Sequence, residues 1–317
     1  MSEVVFTVST QTYNRIDSLP RVYESLKAQT FRGFEWLIVD DGSTDGTGEL
    51  VKAWQAAADF PIRYFYQPNR GKHIGFNRSV VEAQGELLLS FDSDDSCAPN
   101  ALERFKSHWD SIADKENYST VSALCMNEQG HLIGDEYPED VRDASSFSEQ
   151  YRLRRSERWG VNRTDVLRKY PFPEIESEHF VPEALIWNRI ALRYKARFVN
   201  EKLRIYHQTP GSVMSSLSRV RLESPKGASL YYFELSRFPV PFLIKVKALA
   251  NYIRFSFHAG TATTTLFEKG FKKLLAMSVL PVGYLMYRRD RFLVAQKSPV
   301  GRVSSSSQNA WIGGSHE

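Results

Sequence analysis

The sequence predicts an α/β fold, with a mostly parallel central sheet, helices on both faces and a helical appendage at the C-terminus. Three observations carry the prediction. Four short apolar runs in the N-terminal third are each followed by a polar loop and then by a helical stretch, the alternation of βαβ units. The fourth run, Leu87-Leu88-Leu89-Ser90-Phe91, ends in Asp92-Ser93-Asp94-Asp95. In open α/β sheets ligands bind at that carboxyl edge. From about Arg237 onward, apolar runs mix with lysines and arginines, opposed only by Glu268 and Asp290 as far as Arg291.

Residues 4–9, VVFTVS, read as the first buried strand, followed by the loop Thr10-Gln11-Thr12-Tyr13-Asn14-Arg15. A helix is expected from about Ser18, with Pro20 in its first turn and Leu19, Val22 and Leu26 on one face. Phe34–Val39 is the second strand, and its loop runs Asp40-Asp41-Gly42-Ser43-Thr44-Asp45-Gly46-Thr47 into a helix over 48–58. Arg63–Tyr66 is the third, and the loop from Pro68 to His73 leads into a helix near 75–83. Glu86–Phe91 is the fourth, and Pro99 opens the next helix. Beyond residue 118 the pattern is less regular. Strands are expected at Thr120–Cys125, Leu132–Ile133 and Phe198–His207, and a helix at Pro182–Tyr194.

The composition is that of a soluble globular protein, and a formal charge of +4 is too small to argue for nucleic acid. The two cysteines, Cys97 and Cys125, have no metal-ligand spacing and predict a reducing compartment. The N-terminus lacks a basic region and a cleavage site, and no run reaches the roughly 20 apolar residues that span a bilayer. The expected location is cytoplasmic, with peripheral association at the cytoplasmic face of the cell membrane.

Four loops at one sheet edge carry the candidate chemistry. The first lacks the glycines of a dinucleotide-binding turn, which counts against an oxidoreductase. Its Thr10, Thr12, Asn14 and Arg15 can contact a nucleoside and its phosphates, or form the cap region of the following helix. In the second, Asp40 and Asp41 can accept hydrogen bonds from a base or ribose. Turn and capping chemistry explains Asp45 or Thr47 but does not need a doubled aspartate. In the third, Gly71 and Gly75 permit close approach, while Arg70, Lys72 and His73 supply charge for a diphosphate; Asn77 belongs to the same donor-side set. In the fourth, Asp95 or Ser96 can cap the helix after Pro99. Asp92, Ser93 and Asp94 remain for ribose and metal, and hard oxygen donors suit Mn²⁺ or Mg²⁺.

Together, VDDGSTDGT, NRGKHIGFNRS and LLLSFDSDD resemble the nucleotide-sugar half of the family 2 glycosyltransferases with the GT-A fold, over about residues 3–210. The resemblance implies an inverting transfer from a nucleoside diphosphate-sugar, with UDP as the expected nucleotide. It assigns Asp40 to uracil, Asp92 and Asp94 to ribose and metal, and a divalent cation to the diphosphate. In that family the base is a carboxylate from a Glu-Asp pair opening a helix that carries a tryptophan. Aligning Trp187 puts Glu183 there, with Pro182 in place of the first acid; Glu176 and Glu178 are nearby alternatives, and a first-turn acid favoured by the helix dipole is the plain reading. His207 can complete a metal shell or be structural. Trp159 and Gly160 fall where an acceptor loop is expected, although a core tryptophan fits as well.

The expected organisation is a nucleotide-sugar-binding and catalytic domain over 1–215, a basic and apolar helical region over 216–297, and a disordered tail over 298–317. Residues 237–291 suit an anionic membrane surface, or a helical cap on the catalytic domain. The acceptor class is a glycan or a lipid-linked sugar. A nucleotidyltransferase is the competing reading, but TQTYNR is not its glycine- and lysine-rich loop. A non-catalytic binding protein is the third reading, suggested by the missing first acid.

Overall fold

A computed structural model describes residues 3–150, 157–207, 217–261 and 271–297. The N-terminal half follows the expected alternation: β1 (Phe6–Thr12), α1 (Leu19–Lys27), β2 (Phe34–Asp40), α2 (Thr47–Ala57), β3 (Ile62–Tyr66), α3 (Lys72–Glu82) and β4 (Leu87–Ser90). Next come β5 (Ser96–Cys97), α4 (Ala101–Asp110), β6 (Tyr118–Asn127), β7 (Val141–Ala144), α5 (Ser146–Gln150), β8 (Arg158–Arg163) and α6 (Thr164–Leu167). α7 (Ala184–Ala191) and β9 (Lys195–Tyr206) complete the sheet, and α8 (Leu217–Glu223), α9 (Pro225–Arg237), α10 (Phe242–His258) and α11 (Phe271–Lys297) follow.

The strands form one sheet in the order β3-β2-β1-β4-β8-β6-β9-β5, with β7 also on β9. β3, β2, β1 and β4 are mutually parallel. The remainder is mixed, because β8 runs antiparallel between β4 and β6 whereas β6 and β9 are parallel.

The period of two along β4 explains why helices cover both faces. Leu87 and Leu89 enter one core with Trp36, Ile38, Leu19 and Val22, while Leu88 enters the other with Phe76, Val80, Leu185 and Ile186. β1 is buried throughout although five of its seven side chains are polar. Toward the start and middle of the strand those groups find internal partners: Gln11 Nε2 donates to Ser9 and Ser79, and Thr7 donates to the buried Glu35.

Several expectations change. Residues 158–163 are a central strand, not a loop. Leu132 makes only an isolated bridge to Met126. α3 begins at Lys72, earlier than expected, because Gly71 at φ 93° makes the entry turn. Cys97 and Cys125 are both buried, unpaired thiols.

The C-terminal helices are joined to the sheet-bearing half. α9 lies on α7, where Arg189 makes a two-pronged pair with Glu234 at 2.8 and 2.5 Å. Leu230 and Tyr231 extend the core beneath α7. α11 meets α10 closely at Gly283, where a Cβ would stand 2.6 Å from Ile253. The expected tail, 298–317, lies outside the described residues.

Candidate active site

The strand order reverses direction between β1 and β4, so a crevice opens outside their carboxyl ends. The loop 13–15 and the acidic cluster 92–95 stand on its two sides, and Arg15 spans it to reach Asp94 at 3.9 Å.

The first two loops are tied together. Asn14, at φ 51°, donates its backbone N–H to the Ser43 hydroxyl oxygen (2.8 Å), and its side-chain oxygen accepts from Thr44 N (2.8 Å). Asp45 accepts from Ile16 N and from both donors of Thr47. Asp40 is fully buried and accepts from Ser43 N at 2.8 Å and from the Tyr64 hydroxyl at 2.7 Å. Burial, reinforced by that carboxylate, pushes the Tyr64 hydroxyl well above its ordinary range. Asp41 holds the third loop, accepting from Gln67 Nε2 and from the backbone N–H groups of Arg70 and Gly71. The doubled aspartate thus has two distinct local jobs, shaping its own turn and fastening the basic loop.

Thr10 is sealed in the core, where its hydroxyl accepts from Trp36 Nε1 at 3.0 Å, so it does not face the crevice. Thr12, at the strand end, has a buried hydroxyl without a partner among the described residues. A group of that kind is suited to a ligand.

The acidic cluster is divided among three sets of partners. Lys72 Nζ lies 2.8 Å from Asp92 Oδ1, and Arg204 lies 2.6 Å from Asp92 Oδ2. Lys72 first, then Arg204, holds the Asp92 carboxyl far below the usual carboxylate range against the opposing effect of burial. Asp95 is fully buried; it accepts from Arg204 Nε at 2.5 Å and from His207 N at 2.9 Å. Burial raises its pKa, with Arg204 acting in the opposite direction. Asp95 therefore rivets the cluster to β9 and does not cap α4, whose N-cap position is Asn100. Among the described residues the Asp94 carboxylate has only the long pair with Arg15, while its carbonyl accepts from Arg21. Ser93 is buried between these neighbours.

Arg204 was not foreseen from the sequence. It reaches the cluster because β5 folds back antiparallel onto the end of β9, opposing Cys97 to Arg204. An arginine alternating with Leu203 and Ile205 on a strand is the local signal of an inward cation.

Glu183 stands at the N-terminus of α7, 55% exposed at its side chain, and accepts from Lys72 Nζ at 3.1 Å. Burial disfavours the Lys72 charge, but Asp92 and Glu183 together outweigh it and raise the ammonium above its ordinary range. Glu178 is not available as an alternative base, because its buried carboxylate accepts from Lys226 N and Gly227 N. Glu176 is exposed.

Three other residues fall outside the crevice. Trp159 is a core residue that donates to Ser90 O at 2.7 Å and packs on Phe91 and Phe105. Gly160 is required where β8 meets β6, since a Cβ would stand 2.3 Å from Val121 O. Asn77 makes two reciprocal bonds of 2.9 Å with the backbone of Phe172.

Among the described residues no three His, Cys, Asp or Glu side chains are grouped as a complete metal shell. His207 has Ser96 on Nε2 and Glu128 on Nδ1. Asp94 is the cluster carboxylate with the weakest internal partner. That fits a cation of the Mg²⁺ type, which takes one or two carboxylates and fills its remaining positions with water and substrate phosphates.

The sequence model of Glycosyl transferase family 2 matches residues 7–128. The chain is 36% identical over 98 residues to an uncharacterized glycosyltransferase of Nostoc sp., covering 31% of this chain and 30% of that protein. It is 26% identical over 231 residues to Glycosyltransferase GlyG of Streptococcus pneumoniae, covering 68% and 74%. Among solved structures, S. aureus TarS 1-349 in complex with UDP aligns with TM-score 0.58 at 17% identity, covering 93% of this chain and 92% of that one. Mannosyltransferase PcManGT from Pyrobaculum calidifontis, in complex with GDP-Man and Mn²⁺, aligns with TM-score 0.55 at 16% identity, covering 92% and 89%. At these identities the structural likeness is one of fold.

Proposed function

Residues 7–128 make this chain a member of glycosyl transferase family 2, and from that premise we propose an inverting, metal-dependent transfer of a sugar from a UDP-sugar to a glycan or lipid-linked acceptor. The observation that carries the proposal is the placement of one ammonium, Lys72 Nζ, between Asp92 on the donor side and Glu183 on the helix that faces it. Residues far apart in sequence thereby flank one crevice, as a single displacement requires.

In this reading Thr12, Asn14, Arg15, Asp40 and Asp41 line or shape the nucleoside side, and Arg15 and Lys72 take the diphosphate. Asp94 holds Mn²⁺ or Mg²⁺, with His207 beside it through Asp95. When bound, the cation offsets charge developing on the leaving diphosphate. Glu183 accepts the proton of the acceptor hydroxyl. The oxygen of that hydroxyl forms the new bond to the anomeric carbon, and the bond from that carbon to the phosphate oxygen breaks with its electron pair leaving on the diphosphate.

The membrane belongs to the same proposal. Among the described residues no helix is long and apolar enough to cross a bilayer. α11 exposes Leu285 and Phe292 at 66% and 62%, beside the exposed Arg288, Arg289 and Arg291. Its one acid, Asp290, is occupied by Arg254 and His258. An apolar and basic face of this kind suits peripheral attachment to an anionic surface at the cytoplasmic side.

Titration with UDP, with and without Mn²⁺, tests the donor half. Saturating UDP and Mn²⁺ should stabilise the protein by about 2–3 kcal/mol at a hundredfold excess over Kd. Asp94→Ala should remove the Mn²⁺ dependence, and an unchanged Mn²⁺ dependence would refute the metal assignment.

A further inference from the structure

We propose that Glu178 is a positioning residue: it fastens the segment carrying Glu183 to the N-terminus of α9, so that the C-terminal helices set where the base stands. This rests on the reading of Glu183 as the base.

Residues 168–183, between α6 and α7, contain no helix or strand, so their course is fixed by side-chain ties. The upstream part is held by Asn77 at Phe172 and by Arg70 at Glu174. Downstream, Ser177 adopts φ 64°, a left-handed conformation that costs a non-glycine residue about 1 kcal/mol or more. That turn directs Glu178 inward. Its two carboxylate oxygens each accept one backbone N–H of α9, from Lys226 at 2.6 Å and from Gly227 at 2.7 Å. These are first-turn donors that the helix itself leaves unsatisfied, and an anion there also meets the favourable end of the dipole.

Gly227 supplies an independent sign that the contact is built. A Cβ at that position would stand 2.8 Å from Phe180 O and 3.3 Å from Glu178 Oε2, so only glycine admits the segment this close. On the other side of Glu183, Arg189 of α7 pairs with Glu234 of the same α9. Glu183 therefore lies between two ties to one helix. Releasing Glu178 opens that ring on the side next to the base and leaves the Asp92, Arg204 and Asp95 contacts intact.

The test uses Lys72 as a reporter of where Glu183 stands. Acetylation of Lys72 by acetic anhydride is measured across pH in the full chain by peptide mass spectrometry. Glu183→Gln should raise the Lys72 rate roughly threefold or more, because the ammonium loses one of two carboxylates that favour its charged form. Glu178→Ala and Gly227→Ala should each raise it to the same level while UDP binding is retained. Glu178→Gln, which keeps an acceptor oxygen, should fall between. If Glu183→Gln raises the rate and the folded Glu178 and Gly227 variants leave it at the wild-type value, Glu178 has no positioning role. If Glu183→Gln itself leaves the rate unchanged, the placement of the base fails, and the proposal with it.

Discussion

Replacing Arg204 by methionine would strip a fully buried carboxylate, Asp95, of its only cationic partner among the described residues and leave Asp92 with Lys72 alone of the two it has there. Breaking a buried pair on one side costs about 3–5 kcal/mol. The loss should appear as a lower urea midpoint with an unchanged m-value. The pH dependence has a definite sign. Asp92 is held low by Lys72 and Arg204, so its contribution is fully present above the unfolded carboxylate value of about 4 and is lost as pH falls through the lower folded value. Asp95 is raised by burial and runs the other way, contributing below the unfolded value and losing that contribution as pH rises through the folded one. The Arg204→Met protein should therefore lose less of its remaining stability than wild type between about pH 4 and pH 2. An equal acid loss in both proteins would contradict Arg204's hold on Asp92. Asp92 and Asp94 could be picked out in the sequence because they lie in a short loop directly after a strand, and Lys72 because it opens a helix next to a glycine in a basic stretch. Arg204 and Glu178 could not, since their partners are set only when distant elements close on one another.

Among the elements, β8 shows most clearly what local pattern conceals. RWGVNR contains a tryptophan, a glycine and three polar groups, which suits a ligand-facing loop as well as a strand. The alternation of Trp159 and Val161, both buried, was the signal for a strand, but a stretch so short does not outweigh its glycine. The first four strands were legible because each is longer or more uniformly apolar and ends in turn residues. Gly160→Ala tests the placement: its Cβ would meet Val121 O at 2.3 Å, and the overpacking should cost about 1–3 kcal/mol, seen as a lower Tm. A residue on a solvent loop would tolerate the change with no measurable loss. α3 carries a comparable internal cost. His73, in its first turn, is buried with both ring nitrogens unpartnered among the described residues, and burial lowers its pKa. The neutral imidazole packs edge-on to Phe172 beneath the basic loop.

For the molecule as a whole, the sequence conveyed a change of character at the C-terminus but not the surface onto which those helices pack. Their apolar residues serve two purposes that composition does not separate. Ala248, Ile253 and Phe255 are buried, whereas Leu243, Leu285 and Phe292 face outward. Leu285→Glu and Phe292→Glu should each weaken binding to vesicles containing phosphatidylglycerol by about tenfold, since each removes an apolar side chain from the interface. Co-sedimentation that is undiminished in both variants would rule out this face as the membrane contact.

The two thiols have a practical consequence for watching this protein at work. Cys97 and Cys125 are the only cysteines in the sequence; both are buried, and burial pushes each up to about 12. Maleimide and similar reagents attack the thiolate, which burial disfavours at both residues. The native chain is thus a silent background for dye attachment. A single cysteine put in place of the exposed Tyr13, on the loop beside the crevice, would carry a fluorophore at one defined point without first removing either natural cysteine.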